Sequence, residues 1–351
     1  MSLYALAPRA HAVARDKTPR MKAILAHQFG PVDALRVEER PDPTPGRGEI
    51  VIEVVAAAIN FPDVLVIEGL YQVRPPLPFI PGKELSGVVA AVGPDVSSYR
   101  IGDRVLALVE YGAFCQRIAV PIHLCFPVPD WVELESAAAV GIAYQTAHFA
   151  LHHRGEARRG ESVMVTAANG SVGLAAIQLA KAAGADVIAI VSDEGKRQIV
   201  LDNGADHALV SAAGQPFERF REAVRQSTHG RGIDLLIDSA GGAIFEACLR
   251  TVAWEGRAVI VGFTTGTIPC VRTNYLLVKN ISLIGLQWSD YRDRDPTHVA
   301  KVQNEIFDKF RNKQLHAQIM ATFPMSKFAE AFKLLISRQT RGKILLTMRS
   351  A

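Results

Sequence analysis

The sequence predicts an α/β protein in two parts, a β-rich half followed by a doubly wound parallel sheet. Three observations carry that expectation. Between Met21 and about Val120, short apolar runs are separated by Gly, Pro and Asp turns, as in an all-β or barrel-like unit. From Ser162 the chain alternates apolar strands with helical patterns, as in a parallel sheet covered by helices. One strand in that second part runs into a helix through the small-residue loop "TAANGSVG" (166–173).

In the first half, "KAILA", "EIVIEVVAAAIN", "LSGVVAAVG", "DRVLALV" and "FCQRIAVP" read as strands, and Pro/Gly loops fall at 41–49 and 74–82. Residues 133–151 switch to helical spacing. Strand "SVMVT", helix "SVGLAAIQLAKAAG", strand "DVIAIV", helix "GKRQIVLDNG" and strand "HALV" follow. Helix "PFERFREAVRQST", strand "IDLLIDS", helix "AIFEACLRTVA" and strands "RAVIVGF" and "ISLIGL" complete the alternation. After Trp288 a charged helical stretch leads to a last strand, "GKILLTM".

Composition narrows the function. With 351 residues, 49% of them hydrophobic and 21% charged, the chain builds two domains whose core needs no disulfide or metal staple. The net charge is +4, but residues 1–22 hold Arg9, Arg15, Lys17, Arg20 and Lys22 against Asp16 alone, which accounts for the whole excess. The body is neutral, which disfavours nucleic-acid binding through a basic surface. Cys115, Cys125, Cys248 and Cys270 are scattered without the spacing of a disulfide framework or zinc module. No stretch approaches the roughly 20 apolar residues of a membrane helix, and the expectation is a cytoplasmic protein. Residues 1–20 are Arg-bearing and acid-poor, faintly like a transit segment, and are read as a disordered extension ahead of a second start at Met21.

The loop at 166–173 matches a dinucleotide fingerprint, with Ala168, Gly170 and Gly173 at its three glycine positions. Ala168 serves the tight turn if its φ stays negative, Gly170 lets backbone approach a pyrophosphate, and Gly173 permits close helix–sheet packing. Asn169, Ser171 and Val172 complete the loop, and the helix N-terminus behind it suits a phosphate. The strand "DVIAIV" ends at Val191 and Ser192 with Lys196 and Arg197 beyond, and not with the acid that would take the ribose of NAD. Ser and Lys receive a 2′-phosphate, so the sequence favours NADPH, provided that Asp193 and Glu194 point outward.

Strand–"AANGSVG"–helix, "DNGAD", "DSAGG", "IVGF", "NFPDVLVIEGLY" and "PGKELSGVV" together resemble the medium-chain dehydrogenase/reductase superfamily. Within it they are similar to the zinc-independent NADPH:quinone oxidoreductases, the zeta-crystallin-like branch, over about Met21–Met348. The resemblance implies a GroES-like β-rich catalytic domain built from residues 21–143 and 289–351 around a Rossmann domain at 144–288, with the active site in the cleft. It places Asn60, Lys83 and about Ile142 where related alcohol dehydrogenases carry zinc ligands, and an ammonium, an amide and an alkyl group make no zinc site. Pro62 falls where those enzymes have a hydroxyl proton relay. No metal is expected.

The implied reaction is direct hydride transfer to an acceptor that delocalises the charge it gains, helped by hydrogen-bond donors. Tyr71 and Asn60 match the positions near nicotinamide and acceptor. Tyr144 and Thr146 match the nicotinamide side, Ser239 and Gly241 the sheet edge over the adenosine half, and Gly262 and Phe263 a loop on the nicotinamide ribose. Trp288 would wall the pocket, whereas Asp63 reads as a buried carboxylate bonded to nearby amides. Leu65 stands where many quinone reductases have an aromatic, and Ser211 where many have a Tyr beside the ribose phosphate. The leading expectation is an NADPH-dependent quinone reductase. The alternatives are a reductase of α,β-unsaturated ketones or enoyl thioesters, and a non-catalytic NADPH-binding protein. The apolar "NISLIGL" (280–286) is expected at a sheet edge, pairing with its mate in a homodimer.

Overall fold

The strand Glu49–Ile59 is the spine of the first part, and it is buried along nearly its whole length because both faces are covered. It pairs antiparallel with Glu84–Val92 and Lys343–Thr347, and also with Arg117–Pro121. The seven-stranded sheet runs Ile319–Pro324, Lys343–Thr347, Glu49–Ile59, Glu84–Val92, Arg104–Leu108 and Cys125–Pro127, with Arg117–Pro121 off that path. Ile344 lies opposite Ile59, so distant ends of the chain close one sheet. This computed structural model describes residues 19–211 and 216–348.

The second sheet has six strands in the order His207–Val210, Asp186–Val191, Ser162–Val165, Ile233–Asp238, Val252–Ile260, Ser282–Gly285, all parallel. The direction of winding reverses between Ser162–Val165 and Ile233–Asp238. Loops leaving the carboxyl ends of those two strands therefore part and open a crevice. The helix Ser171–Ala182 follows the first of them and buries most of its length.

The two parts share one core. A continuous buried cluster runs from Ala56, Leu106 and Leu345 through Tyr144 and Phe149 to Val163, Leu174 and Ile237. Helices Leu134–Ala139 and Ile142–His148 sit in that cluster between the sheets.

Four details differ from the sequence reading. The region read as strands contains a helix, Phe61–Ile67, started by a capping box in which Asn60 and Asp63 each take the other's backbone N–H. A second unforeseen helix, Thr273–Lys279, precedes the last parallel strand. Beyond Trp288, helices Trp288–Arg294 and Pro296–Arg311 are followed by a strand, Ile319–Pro324, not foreseen because its residues are only half-buried and its periodicity is weak. Arg20 already belongs to the strand Arg20–Leu25, so it is not part of an extension, and residues 1–18 lie outside the described residues. Among the described residues, no helix is long and apolar enough to cross a membrane.

Candidate active site

The loop after Ser162–Val165 is fixed by backbone geometry. Ala168 is not among the residues with positive φ; the left-handed turn falls one residue earlier, on Ala167 at φ 47°. A non-glycine residue there costs about 1–2 kcal/mol, so the turn is imposed by the packing around it. A Cβ on Gly173 would meet the Ala167 carbonyl oxygen at 2.6 Å and Ala168 Cα at 2.7 Å, both backbone atoms that cannot give way. A Cβ on Gly170 would meet only the Ala167 oxygen, at 3.4 Å. Packing therefore demands glycine at 173 and leaves room at 170, the cradle that a phosphate approaching the backbone requires. Leu174 donates the first intrahelical bond, to Gly170, so the amides of Ser171, Val172 and Gly173 precede the ladder and face the loop. Asn169 spends its Nδ2 on the Thr340 carbonyl, 2.8 Å away, and so fastens the loop to the C-terminal segment.

At the end of Asp186–Val191, Lys196 is buried and does not lie on a solvated turn. Its Nζ donates to Ser192 Oγ at 2.8 Å and to the Arg338 carbonyl at 3.0 Å, and pairs with Asp193 at 3.0 Å. Asp193 is 54% exposed, as expected, yet its carboxylate accepts from both Ser192 and Lys196, which hold its carboxyl below the usual range. Arg197 is exposed and pairs with Glu194, so Ser192 and Lys196 come together while Arg197 stands apart.

The loops after Ser162–Val165 and Ile233–Asp238 are joined by a buried pair that the sequence reading missed. Thr166 Oγ1 donates to Asp238 Oδ1 at 2.5 Å and accepts from the amides of Ser239 and Ala240. Desolvation raises the Asp238 pKa against these bonds. Gly241, at φ 70°, donates to Asp238 Oδ2, and a Cβ there would strike the Thr267 oxygen at 2.8 Å and the Phe263 ring at 2.9 Å. Ser239, Gly241, Gly262 and Phe263 thus form one compact turn cluster, as Gly262 N also reaches the Asp238 carbonyl.

Across the crevice, Asn60 is saturated. Its Nδ2 donates to the Ala58 carbonyl at 3.2 Å and Glu84 Oε1 at 3.0 Å, and its Oδ1 accepts from Lys343 Nζ at 2.6 Å. The expectation that Asn60 offers a donor to nicotinamide or acceptor is corrected by this: both amide hydrogens are committed within the protein. Lys343 also pairs with Glu84, whose other oxygen accepts from the Ile142 amide at 2.8 Å. Lys343 and Glu84 are 2% and 0% exposed, and neither was recognised from sequence. Asp63 is buried too: desolvation raises its pKa to about 7, against the Asn60 amide and the Lys83 and Lys343 charges, which lower it. Its Oδ1 has no partner among the described residues.

Tyr71 lies nearby with its hydroxyl 3.4 Å from Gln287 Nε2, a long contact from the β-rich part to the end of the parallel sheet. The Lys83 ammonium sits 4.5 Å from the centre of the Tyr71 ring. It donates to the Glu110 carbonyl at 2.9 Å and to Glu110 Oε1 at 2.5 Å, and Arg292 meets Glu110 Oε2 at 2.9 Å. Tyr144 does not offer its hydroxyl to a ligand: it donates to the His316 carbonyl at 2.6 Å and lies 3.2 Å from Gln178 Oε1, and burial raises its pKa. Its ring lines a small cavity with Ser171, Leu174, Gln318 and Lys343, which brings the glycine loop and the Lys343 network to one place. Thr146 is buried on the same helix, and Trp288 is buried with an Nε1 that has no partner among the described residues.

This geometry has known counterparts. The description "Alcohol dehydrogenase GroES-like domain" matches residues 46–130, and "Zinc-binding dehydrogenase" matches 171–303. Mouse quinone oxidoreductase-like protein 2 is 36% identical over 313 residues, covering 89% of this chain and 88% of its own. The chain belongs to the quinone oxidoreductase family of the medium-chain dehydrogenases/reductases. A probable quinone oxidoreductase of Schizosaccharomyces pombe is 32% identical over 321 residues, 90% of this chain and 94% of its own. The structure of mycobacterial Rv1454c complexed with NADPH superposes with a TM-score of 0.87 at 31% identity, covering 93% of this chain and 100% of that one. The protein is an oxidoreductase.

The zinc in one family description does not fit this member. Lys83 is a salt-bridged ammonium, Asn60 is saturated, and Ile142 contributes only its amide, to Glu84. Among the described residues no His, Cys, Asp and Glu gather in a metal-binding group.

Proposed function

We propose that this oxidoreductase uses NADPH to reduce a quinone or a similarly electron-poor acceptor without a metal. The observation that carries the reading is the Gly170 cradle: open space for one Cβ at the mouth of a helix whose neighbouring glycine has none to spare. Gly170, Ser171, Val172 and Gly173 would hold the pyrophosphate, and Ser192 with Lys196 would take the 2′-phosphate in place of the Asp193 carboxylate, which is 54% exposed and would swing away to solvent. Ser239 and Gly241 would bound the adenosine half, and Gly262 with Phe263 the nicotinamide ribose. NADPH when bound supplies a hydride.

The chain's own contribution is orientation. Glu84 and Lys343 lock Asn60, and through its capping box the start of helix Phe61–Ile67, from which the chain runs to Tyr71. Tyr71 presents a hydroxyl beside Gln287, where it can donate to an acceptor oxygen as that oxygen gains charge. The family relatives named as quinone oxidoreductases and the NADPH complex support the same reading. Purified protein titrated with NADPH should quench or shift the coenzyme fluorescence, and should then oxidise it with 1,4-naphthoquinone faster than with a simple enone or crotonyl-CoA. Turnover with the thioester alone would replace the quinone assignment with enoyl reduction, and saturable NADPH binding without any turnover would leave a binding protein.

A homodimer belongs to this reading. Ser282–Gly285 is the open edge of the parallel sheet, and Leu277 and Val278 on the adjoining helix are 78% and 75% exposed. An edge flanked by bare apolar residues is a pairing surface. Sedimentation at micromolar concentration should give twice the chain mass, and Leu277→Lys with Val278→Glu should give the monomer. A wild-type monomer would refute the pairing.

A further inference from the structure

The ion bridge Lys83–Glu110–Arg292 is a charged group at the acceptor side that the proposed reaction leaves without a task. All three side chains are largely buried, 6%, 20% and 6% exposed. Buried ion pairs contribute little net stability, and apolar replacements of equal size are often as stable. A merely structural need would be met more cheaply by a methionine at 83. Glu110 nevertheless takes two bonds from Lys83, through its carbonyl and one carboxylate oxygen, which leaves one ammonium hydrogen free toward the Tyr71 ring, 4.5 Å away. Arg292 holds the other carboxylate oxygen from a helix that follows the parallel sheet.

The charge balance points the same way. Lys83 and Arg292 set two positive charges against Glu110, and the second carboxylate, Asp293, is 57% exposed on the solvent side, where water screens it. Toward Tyr71 the bridge presents the Lys83 ammonium, and the buried Asp63, which feels the same charge, carries only part of its own near neutral pH because burial raises its carboxyl to about 7. Cation–ring contacts strengthen when the cation is desolvated, and Lys83 over the ring holds it in one orientation.

We propose that Lys83 is the positioning residue of the acceptor site: anchored by Glu110 and Arg292, it clamps the face of Tyr71 and makes the site select molecules that carry, or develop, negative charge on an oxygen next to that phenol. The assignment rests on the reductase reading above and deepens it by naming the acceptor class, oxyanion-forming carbonyl compounds. No covalent step is assigned to Lys83. It acts through the ring it holds and the field it supplies.

The test uses Lys83→Met, which keeps the stem and removes the charge, and Lys83→Arg, which keeps a cation. Two readouts are taken on each: steady-state reduction of 1,4-naphthoquinone with NADPH, and equilibrium binding of 4-nitrophenolate, followed by its visible absorbance in the absence of coenzyme. Lys83→Met is expected to lose about tenfold or more in kcat and in nitrophenolate affinity, with the KM for NADPH within about twofold, and Lys83→Arg to recover most of both. Tyr71→Leu should produce a comparable loss, and adding Lys83→Met to it should change little further, because the two act as a unit. If Lys83→Met does not fold, Lys83→Gln, which removes the charge and keeps a hydrogen-bonding head for Glu110, replaces it in both readouts and in the double variant.

Unchanged kcat and nitrophenolate affinity in folded Lys83→Met overturn the proposal, as does a Lys83→Arg protein as impaired as Lys83→Met. Additive losses in the double variant overturn the action through Tyr71. Lys83-dependent nitrophenolate binding in a protein that reduces no quinone sinks the quinone reductase reading and leaves the clamp standing. Quinone turnover indifferent to Lys83 does the reverse.

Discussion

The two sheets prepare the cleft by different means. On the parallel side the surface proposed for the coenzyme is backbone: the Gly170 cradle, the amides ahead of Leu174, the turn at Gly241. Side chains there tie backbone to backbone, as Thr166 and Asp238 do. On the β-rich side the surface rests on paired side-chain charges, Glu84 with Lys343 and Lys83 with Glu110. A backbone site fails through shape and tolerates little added volume. A charge network fails when one partner goes and the other is left buried alone.

Removing one partner of the deepest pair should therefore have the largest effect. Lys343→Met leaves Glu84 with its amide contacts but no cation, in a place with no exposure. A loss of about 3–5 kcal/mol is expected in denaturant unfolding. Glu84→Gln with Lys343→Met should recover a large part of it, since neither buried charge then remains. If the double variant is as unstable as the single one, the loss comes from packing around the lysine stem.

The glycine loop sharpens the contrast from the other side. Gly173→Val drives atoms into the Ala167 carbonyl and Ala168, and should cost about 3 kcal/mol through overpacking. Gly170→Ala meets ordinary van der Waals contact. It should change stability by no more than about 0.5 kcal/mol while weakening NADPH binding at least tenfold, ~1.4 kcal/mol. Thermal midpoints and coenzyme titration on the same samples separate the two. Equal destabilisation at both positions would make Gly170 a packing residue and remove the main support for the cofactor site.

The same contrast explains what was legible in the sequence. The glycine loop was readable because its turn, cradle and helix start all fall within eight consecutive residues. The βαβ alternation was readable because strands covered on both faces stay apolar throughout. The Asn60–Lys343 bond joins residues 283 positions apart, and a lone lysine in "GKILLTM" carries no sign that it will be buried. Asn60 looked like a ligand donor because its neighbours in space were unknown. The contact of Asp193 with Lys196 was hidden for a similar reason: Lys196 is anchored on the Arg338 carbonyl from the far end of the chain. Local backbone rules reach the coenzyme side, and only tertiary structure reaches the charges opposite.

Asp63 offers the smallest and finest test, because it belongs to the charge network yet has lost much of its own charge. Burial lifts its carboxyl from an ordinary 3.8 to about 7, and the folded protein therefore holds this proton more tightly than the unfolded chain does. Its contribution to stability is full below about pH 4 and is lost as the pH rises through the folded pKa near 7. Asp63→Asn keeps an oxygen to accept the Asn60 amide and removes the titration. The variant should gain on wild type as the pH is raised from about 4 to 8, by an amount that levels off once the folded carboxyl has ionised. Melting midpoints across that range provide the measurement. A constant difference between the two proteins would mean that Asp63 stays ionised throughout, held by Lys83 and Lys343, and that these lysines outweigh burial even at the driest point of the cleft.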